Sequence, residues 1–165
     1  MNEIVTKQDF RNTVANIEQE MLKLPNTVVG DRPEMPVTHS FGDGTYVRDL
    51  FIPKGYLVVG KIHKRRTVNI LLKGEITILA EGGIKRLKAP AYFIGEANSK
   101  KVGYAHEDTT WLNVFPNPTD EREIEKIEKD VALEDYADEN KNIIDVDAKL
   151  LVELMEKENV RQAEI

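Results

Sequence analysis

The chain has 165 residues, of which 32% are charged, with a formal net charge of -6 and no cysteine. That length suits one domain with a full core and some helical or tail material. The composition excludes disulfides, thiolate metal sites and a cysteine nucleophile, no run of 18 apolar residues is present to span a membrane, and MNEIVTKQDF lacks the apolar stretch of a secretory signal.

Residues Lys7 to Leu24 repeat apolar side chains at helical spacing, with Phe10, Val14, Ile17, Met21 and Leu24 forming one stripe. Thr6 with Asp9 three residues later resembles an N-terminal cap, and Pro25 ends the segment. The next stretch, PNTVVGDRPEMPVTHSFGDG, is rich in Pro and Gly and reads as a loop or extended arm.

Strands are predicted at Thr45 to Ile52, Tyr56 to His63, Val68 to Leu72, Ile76 to Ala80, Ile84 to Leu87, Ala91 to Ile94, Val102 to Ala105 and Thr110 to Phe115. Turn formers such as Pro53-Lys54-Gly55, Lys73-Gly74-Glu75 and Ala97-Asn98-Ser99 separate them. Many short strands at this spacing predict a sandwich or jelly-roll barrel. With a tight turn between them, Lys61, His63 and Thr67 share strand parity and face one interior. The imperfect alternation from Tyr46 to Ile52 reads as a strand buried on both faces at an interface.

After Pro116-Asn117-Pro118 the chain turns acidic. Thr119 is a candidate cap, with Asp120, Glu121 and Glu123 in the first helical turn and Ile124, Ile127 and Val131 as the apolar stripe. A second amphipathic helix is predicted from Val146 to Arg161, with Leu150, Leu151, Leu154 and Met155 on its apolar face. Such narrow stripes are marginal alone, so both helices are expected to dock on the barrel or on another subunit. The expected layout is an N-terminal helix and arm over 1–44, a β-barrel over 45–116 and an acidic helical extension over 117–165.

Charge is strongly partitioned. Residues 54–104 carry eleven Lys/Arg against three Asp/Glu, whereas residues 105–165 carry seven against eighteen. A basic barrel of this kind could attract an anionic ligand, or hold the acidic tail of its own chain or of a neighbour.

The segment GKIHKRRTVNILLKGE over 60–75 has the layout of a cupin metal-site strand pair, anchored by Gly55, His63 and Gly74. On that resemblance three ligand positions fall on Lys61, Thr67 and Lys101, and His63 alone remains as a metal-binding type. A lysine cation repels a metal ion, so the pattern points to binding or assembly ahead of metal catalysis. More narrowly, YVRDLFIPKGYLVVGKIHKRRTVNILLKGEI, APAYFIG and KKVGYAHEDTTWLNVFPNPTD resemble the small cupin-like proteins of tailed bacteriophages and prophages, over about residues 45 to 120. The resemblance implies a single cupin-type jelly-roll barrel and an oligomeric accessory or structural phage protein. It would occupy the cytoplasm of the bacterial host or be incorporated in the virion, with other phage particle proteins as partners.

Three functional expectations follow. The first is a noncatalytic assembly module that forms a homodimer or larger homo-oligomer and uses no cofactor. The second is a pocket for a small anionic ligand such as a sugar phosphate or nucleotide, contacted by Lys61, His63, Thr67 and Lys101. The third is a metal-dependent enzyme with a rearranged site built on His63 and His106, with Glu96 as a further substitute ligand. The plainer expectations are a hydrogen-bonded barrel histidine at His63, lysines that keep their ammonium groups in water, and Trp111 in the core. Overall acidity and the lack of aromatics among the basic residues argue against nucleic acid, and no GxSxG elbow marks a hydrolase.

Overall fold

Short alternating segments closed by turn residues make up about half of the described residues. The computed structural model describes residues 7–25, 28–29, 32–81, 83–133 and 161–164. In chain order these form α1 (Lys7–Leu22), β1 (Val28–Val29), β2 (Val37–Gly42), β3 (Thr45–Ile52), β4 (Tyr56–Val59) and β5 (Ile62–His63). There follow β6 (Thr67–Lys73), β7 (Glu75–Ala80), β8 (Gly83–Lys88), β9 (Ala91–Gly95), β10 (Val102–Ala105) and β11 (Thr109–Pro116). The described chain closes with α2 (Ile124–Val131), β12 (Ala132–Leu133) and β13 (Arg161–Glu164).

Four nested antiparallel pairs define the topology: β3 with β11, β4 with β10, β6 with β9, and β7 with β8. The chain is one long hairpin with its tip at the β7–β8 turn, rolled up so that the pairs alternate between two sheets. Their orders are β2-β3-β11-β6-β9 and β1-β13-β4-β10-β7-β8. This is a cupin-type jelly-roll barrel, mainly β, with an N-terminal helix.

Alternation fixes which side chains enter the barrel. Along β11, Thr109, Trp111, Asn113 and Phe115 are buried while their neighbours are less so. Leu50, Ile52, Leu71, Ile76, Ile78 and Trp111 meet between the sheets as the main core. At fully buried positions such as Leu71 and Ile76, each side chain contributes about 1.5–3 kcal/mol by leaving water. In β4 and β10 every residue is buried, because a second layer lies outside them. That layer is α1, whose Phe10, Val14 and Met21 pack on Leu57, Val59, Val102 and Tyr104.

Several expectations are corrected. Val37 to Gly42, read as arm, is β2, which pairs with β3 in full register. The strand expected from Tyr56 to His63 breaks at Gly60 and Lys61 into β4 and β5. The strands buried on both faces are β4 and β10, whereas β3 buries only Tyr46, Leu50 and Ile52. α2 starts at Ile124 with Glu123 as its N-cap residue, so Thr119 does not cap it. The acidic residues before it are used in a turn: Asp120 Oδ1 accepts from Gly44 N at 2.7 Å, and Glu121 Oε1 accepts from the amides of Arg122 and Glu123. Those amides hold the Glu121 carboxyl below its usual range. The stripe of α2 is as expected, with Ile127 and Val131 buried against Tyr46 and Phe115. Thr6 and the helix expected from Val146 lie outside the described residues, except that Arg161 begins β13, parallel to β4.

Candidate functional site

The barrel holds a partly open cavity of about 80 Å³ between the two sheets and beneath α2. At roughly 10–15 Å³ per water on this measure, it holds about six waters or a ligand of about six heavy atoms. Its floor is apolar, with Leu50, Ile52, Ile76, Ile78 and Trp111. Polar side chains gather toward the α2 end.

One polar wall is a cross-strand row. Arg48 on β3, Asn113 on β11 and Asn69 on β6 stand in register on neighbouring strands, and all three line the cavity. Asn113 donates from Nδ2 to Asn69 Oδ1 at 2.8 Å, and Asn69 Nδ2 donates to the Thr67 carbonyl at 2.8 Å. Both amides are buried. Buried amides of this kind are retained only when hydrogen-bonded, and this chain of bonds fixes their orientation.

The opposite wall supplies Lys101, which shares inward parity with Gly103 and Ala105 on β10. Its head group lies over Gly95. A Cβ added at Gly95 would stand 2.8 Å from Lys101 Nζ and 2.9 Å from Asn69 Nδ2, so only glycine leaves room for the ammonium there. The Lys101 carbonyl accepts from Gly60 N at 3.0 Å, while its ammonium has no hydrogen bond or ion pair with a described residue. Burial pushes its pKa down to about 8, opposed by the Glu81 carboxylate.

His63 stands beside it at the end of β5. Its ring meets Phe115 edge-on at 5.1 Å, and its Nδ1 is buried with no hydrogen-bond partner. Burial, then the charges of Lys101 and Arg48, push its pKa down to about 3. The imidazole is therefore neutral at physiological pH.

The acidic α2 closes the cavity. Val131 and Ala132 complete its lining together with Glu128, whose carboxylate lies 3.4 Å from Lys61 Nζ. Ala132 pairs with His63 in a short ladder between β12 and β5, and Lys64 N donates to the Val131 carbonyl at 2.9 Å. Lys64 Nζ bonds the Lys129 carbonyl, and Arg65 pairs with Asp130 at 3.2 Å. The basic segment thus engages the acidic helix of its own chain.

Of the residues expected in the pocket, the fold brings Lys61, His63 and Lys101 to one cavity. Thr67 shares the inward parity of β6 but does not line the cavity; its hydroxyl donates to the Arg65 carbonyl at 3.0 Å. His106 lies outside the cavity, with Nε2 2.7 Å from Thr77 Oγ1 and its ring against Tyr104. It does not converge with His63. Glu96 faces Arg66 at 3.8 Å, and Asp108 accepts from Lys54 N at 2.9 Å. Among the described residues no three His, Asp or Glu are grouped to hold a metal ion. Trp111 is in the core, edge-on to Phe93.

Arg48, Asn69, Asn113 and Glu128 were not anticipated as lumen residues. The first three carry a legible signal, since each is a polar residue at an inward-parity position between two apolar or buried neighbours of its strand. No described helix is long and apolar enough to cross a membrane.

No protein-family profile matches the sequence, and no curated protein matches it. Among solved structures, KdgF from a Halomonas species is similar with a TM-score of 0.48 and 13% identity, over 58% of this chain and 89% of that one. A cupin 2 domain-containing protein from Halorhodospira halophila gives 0.46 and 10%, over 56% and 70%. A cupin superfamily protein from Desulfitobacterium hafniense gives 0.44 and 11%, over 53% and 81%.

Proposed function

We propose that this protein is a noncatalytic binding module that holds a small organic anion in the basic lumen of its barrel. The observation that carries the reading is the Lys101 side chain, which is partly buried in the cavity lining and whose ammonium has no hydrogen bond or ion pair among the described residues. A buried cation without a partner costs several kcal/mol. An anion on Lys101, within reach of the Arg48, Asn113 and Asn69 row, offsets that cost and gains charge-assisted hydrogen bonds. The cavity volume favours a short carboxylate or a phosphate over a whole nucleotide. Thermal unfolding in the presence of short carboxylates and of phosphate tests it. A ligand at a hundred times its Kd adds about 2.7 kcal/mol, so a saturable rise in midpoint is expected, absent in Lys101→Met. No rise with any member of the panel would overturn the reading.

A second reading, assembly into a homo-oligomer, is favoured by the outer face of the five-stranded sheet. Val47, Val114, Val68 and Ile94 stand in one cross-strand row, and Leu112, Ile70 and Tyr92 in the next. Tyr92 is 76% exposed and Leu72 59%. The free face of an antiparallel sheet is ordinarily polar, and apolar rows of this extent suit a contact with a second copy. The resemblance of residues 45 to 120 to phage cupin-like proteins supports an accessory role in an infected bacterial cell or in the particle. Sedimentation of the wild type and of Leu72→Lys/Tyr92→Lys tests this, with a shift toward monomer expected in the variant. A monomeric wild type would refute it.

A further inference from the structure

We propose that Lys101 captures a short oxo-carboxylic acid covalently, its Nζ forming an imine with the carbonyl carbon while the carboxylate lies toward Arg48 and the buried asparagine row. The inference rests on the anion-binding reading above and goes beyond it by naming the ligand class and the bond.

The geometry supplies what an amine nucleophile needs. Lys101 lines the cavity, its ammonium makes no hydrogen bond or ion pair with a described residue, and its head group lies over Gly95, where a Cβ would displace it. Lysines become nucleophiles when desolvated in an apolar pocket or placed beside another cation. The first condition holds, since burial lowers the Lys101 pKa and Ile76, Ile78 and Trp111 line the cavity with it. Glu81 favours the protonated form of the amine, and the charged residues of the lining besides Lys101 are Arg48, Lys61 and Glu128, of which Lys61 and Glu128 pair with each other. With the amine lowered to about 8, about a tenth of it is neutral at pH 7, against roughly one part in 2,500 for an ordinary lysine.

The step balances without a redox partner. The neutral Nζ attacks the carbonyl carbon, a C–N bond forms, and the carbonyl π pair moves to oxygen. One proton passes from nitrogen to that oxygen to give the carbinolamine; the remaining N–H proton then passes to the hydroxyl, which leaves as water, and the nitrogen pair forms C=N. The apolar floor favours loss of water. A short 2-oxo acid such as pyruvate is about the size that the cavity admits.

The test uses the full chain with pyruvate and, separately, with lactate, which has the carboxylate but no carbonyl. Borohydride reduction traps an imine as a stable secondary amine that peptide mapping locates, and chemical-shift titration reads lactate binding. The expected result is one adduct with pyruvate, mapped to Lys101, faster as pH rises toward 8 and level above it. It should be retained in Lys85→Ala on the exposed face of β8 and lost in Lys101→Met, with that variant's thermal unfolding confirming that it is folded. Lactate binding without a pyruvate adduct overturns the imine and leaves the anion site standing. Neither binding nor adduct overturns both. An adduct spread over surface lysines, or retained in Lys101→Met, also overturns the assignment.

Discussion

Lys100 and Lys101 are adjacent in the chain and lie on opposite sides of one sheet: Lys100 Nζ meets Glu18 Oε1 of α1 at 2.6 Å, while the Lys101 ammonium enters the lumen unpaired. Strand parity alone separates them. One holds the outer helix in place, and the other sets the charge of the cavity.

The outer pair is nearly dry, with Lys100 3% and Glu18 8% exposed. Removing one partner from such a pair costs about 3–5 kcal/mol because the other charge stays buried, whereas replacing both with apolar residues is close to neutral. Lys100→Met is therefore expected to lower stability by that amount in urea unfolding, and Glu18→Leu/Lys100→Met to regain most of it. Equal stability of the single variant and the wild type would show that α1 does not depend on this contact.

Lys101 makes the opposite contribution. Its pKa falls from 10.5 in the unfolded chain to about 8 in the fold. Between those values the unfolded state binds more protons, so stability rises with pH across the window. Below pH 8 the full cost of the buried ammonium applies, roughly 3 kcal/mol at 1.36 kcal/mol per pH unit. Lys101→Met is expected to be more stable than the wild type at pH 7 and to lose the rise between pH 8 and 10.5. Denaturant midpoints across that range would read both effects.

His63 shapes the acid side. Its pKa is 6.5 when unfolded and about 3 when folded. Its contribution is complete above pH 6.5 and is lost as the unfolded state takes up a proton below that, at up to about 1.4 kcal/mol per pH unit. Midpoints at pH 7 and pH 5 should converge in His63→Gln, which has nothing to titrate. Because Lys101 is one cause of the shift, Lys101→Met should also reduce the acid loss.

The closure by α2 is expected to rest on packing more than on charge. Ile127 is buried with Tyr46 and Phe115, so Ile127→Ala should cost about 2–5 kcal/mol. Asp130→Ala removes a pair whose side chains are more than half exposed, worth under about 1 kcal/mol. Amide exchange at the β5–β12 ladder would separate the two, rising strongly in the first variant and little in the second.

The fold was largely legible because glycine and proline turns cut the chain into alternating segments. β3 and β10 occupy the residues that pattern assigns. β2 was hidden by the prolines and glycines around it and by its polar Thr38, His39 and Ser40. In the site, Lys61, His63 and Lys101 were within reach of a motif comparison. Inward parity marks Arg48, Asn69 and Asn113 one by one, but not their alignment in a row, because register between strands distant in sequence is set by the folded sheet. Thr67 shows the limit of parity: it faces inward, yet a local bond to the Arg65 carbonyl occupies its hydroxyl. The start of α2 was misplaced because Asp120 and Glu121 bond backbone amides ahead of the helix, as acidic residues also do in a first turn.

The most direct test of the anion site is a proton–nitrogen correlation spectrum of the uniformly labelled protein titrated with short carboxylates and with phosphate. The side-chain amides of Asn69 and Asn113 sit in the polar wall and report on it themselves. The account predicts saturable shifts centred on those amides and on the backbone around Arg48 and Lys101, abolished in Lys101→Met. Unmoved asparagine signals at millimolar ligand, or the same shifts in the variant, would contradict it.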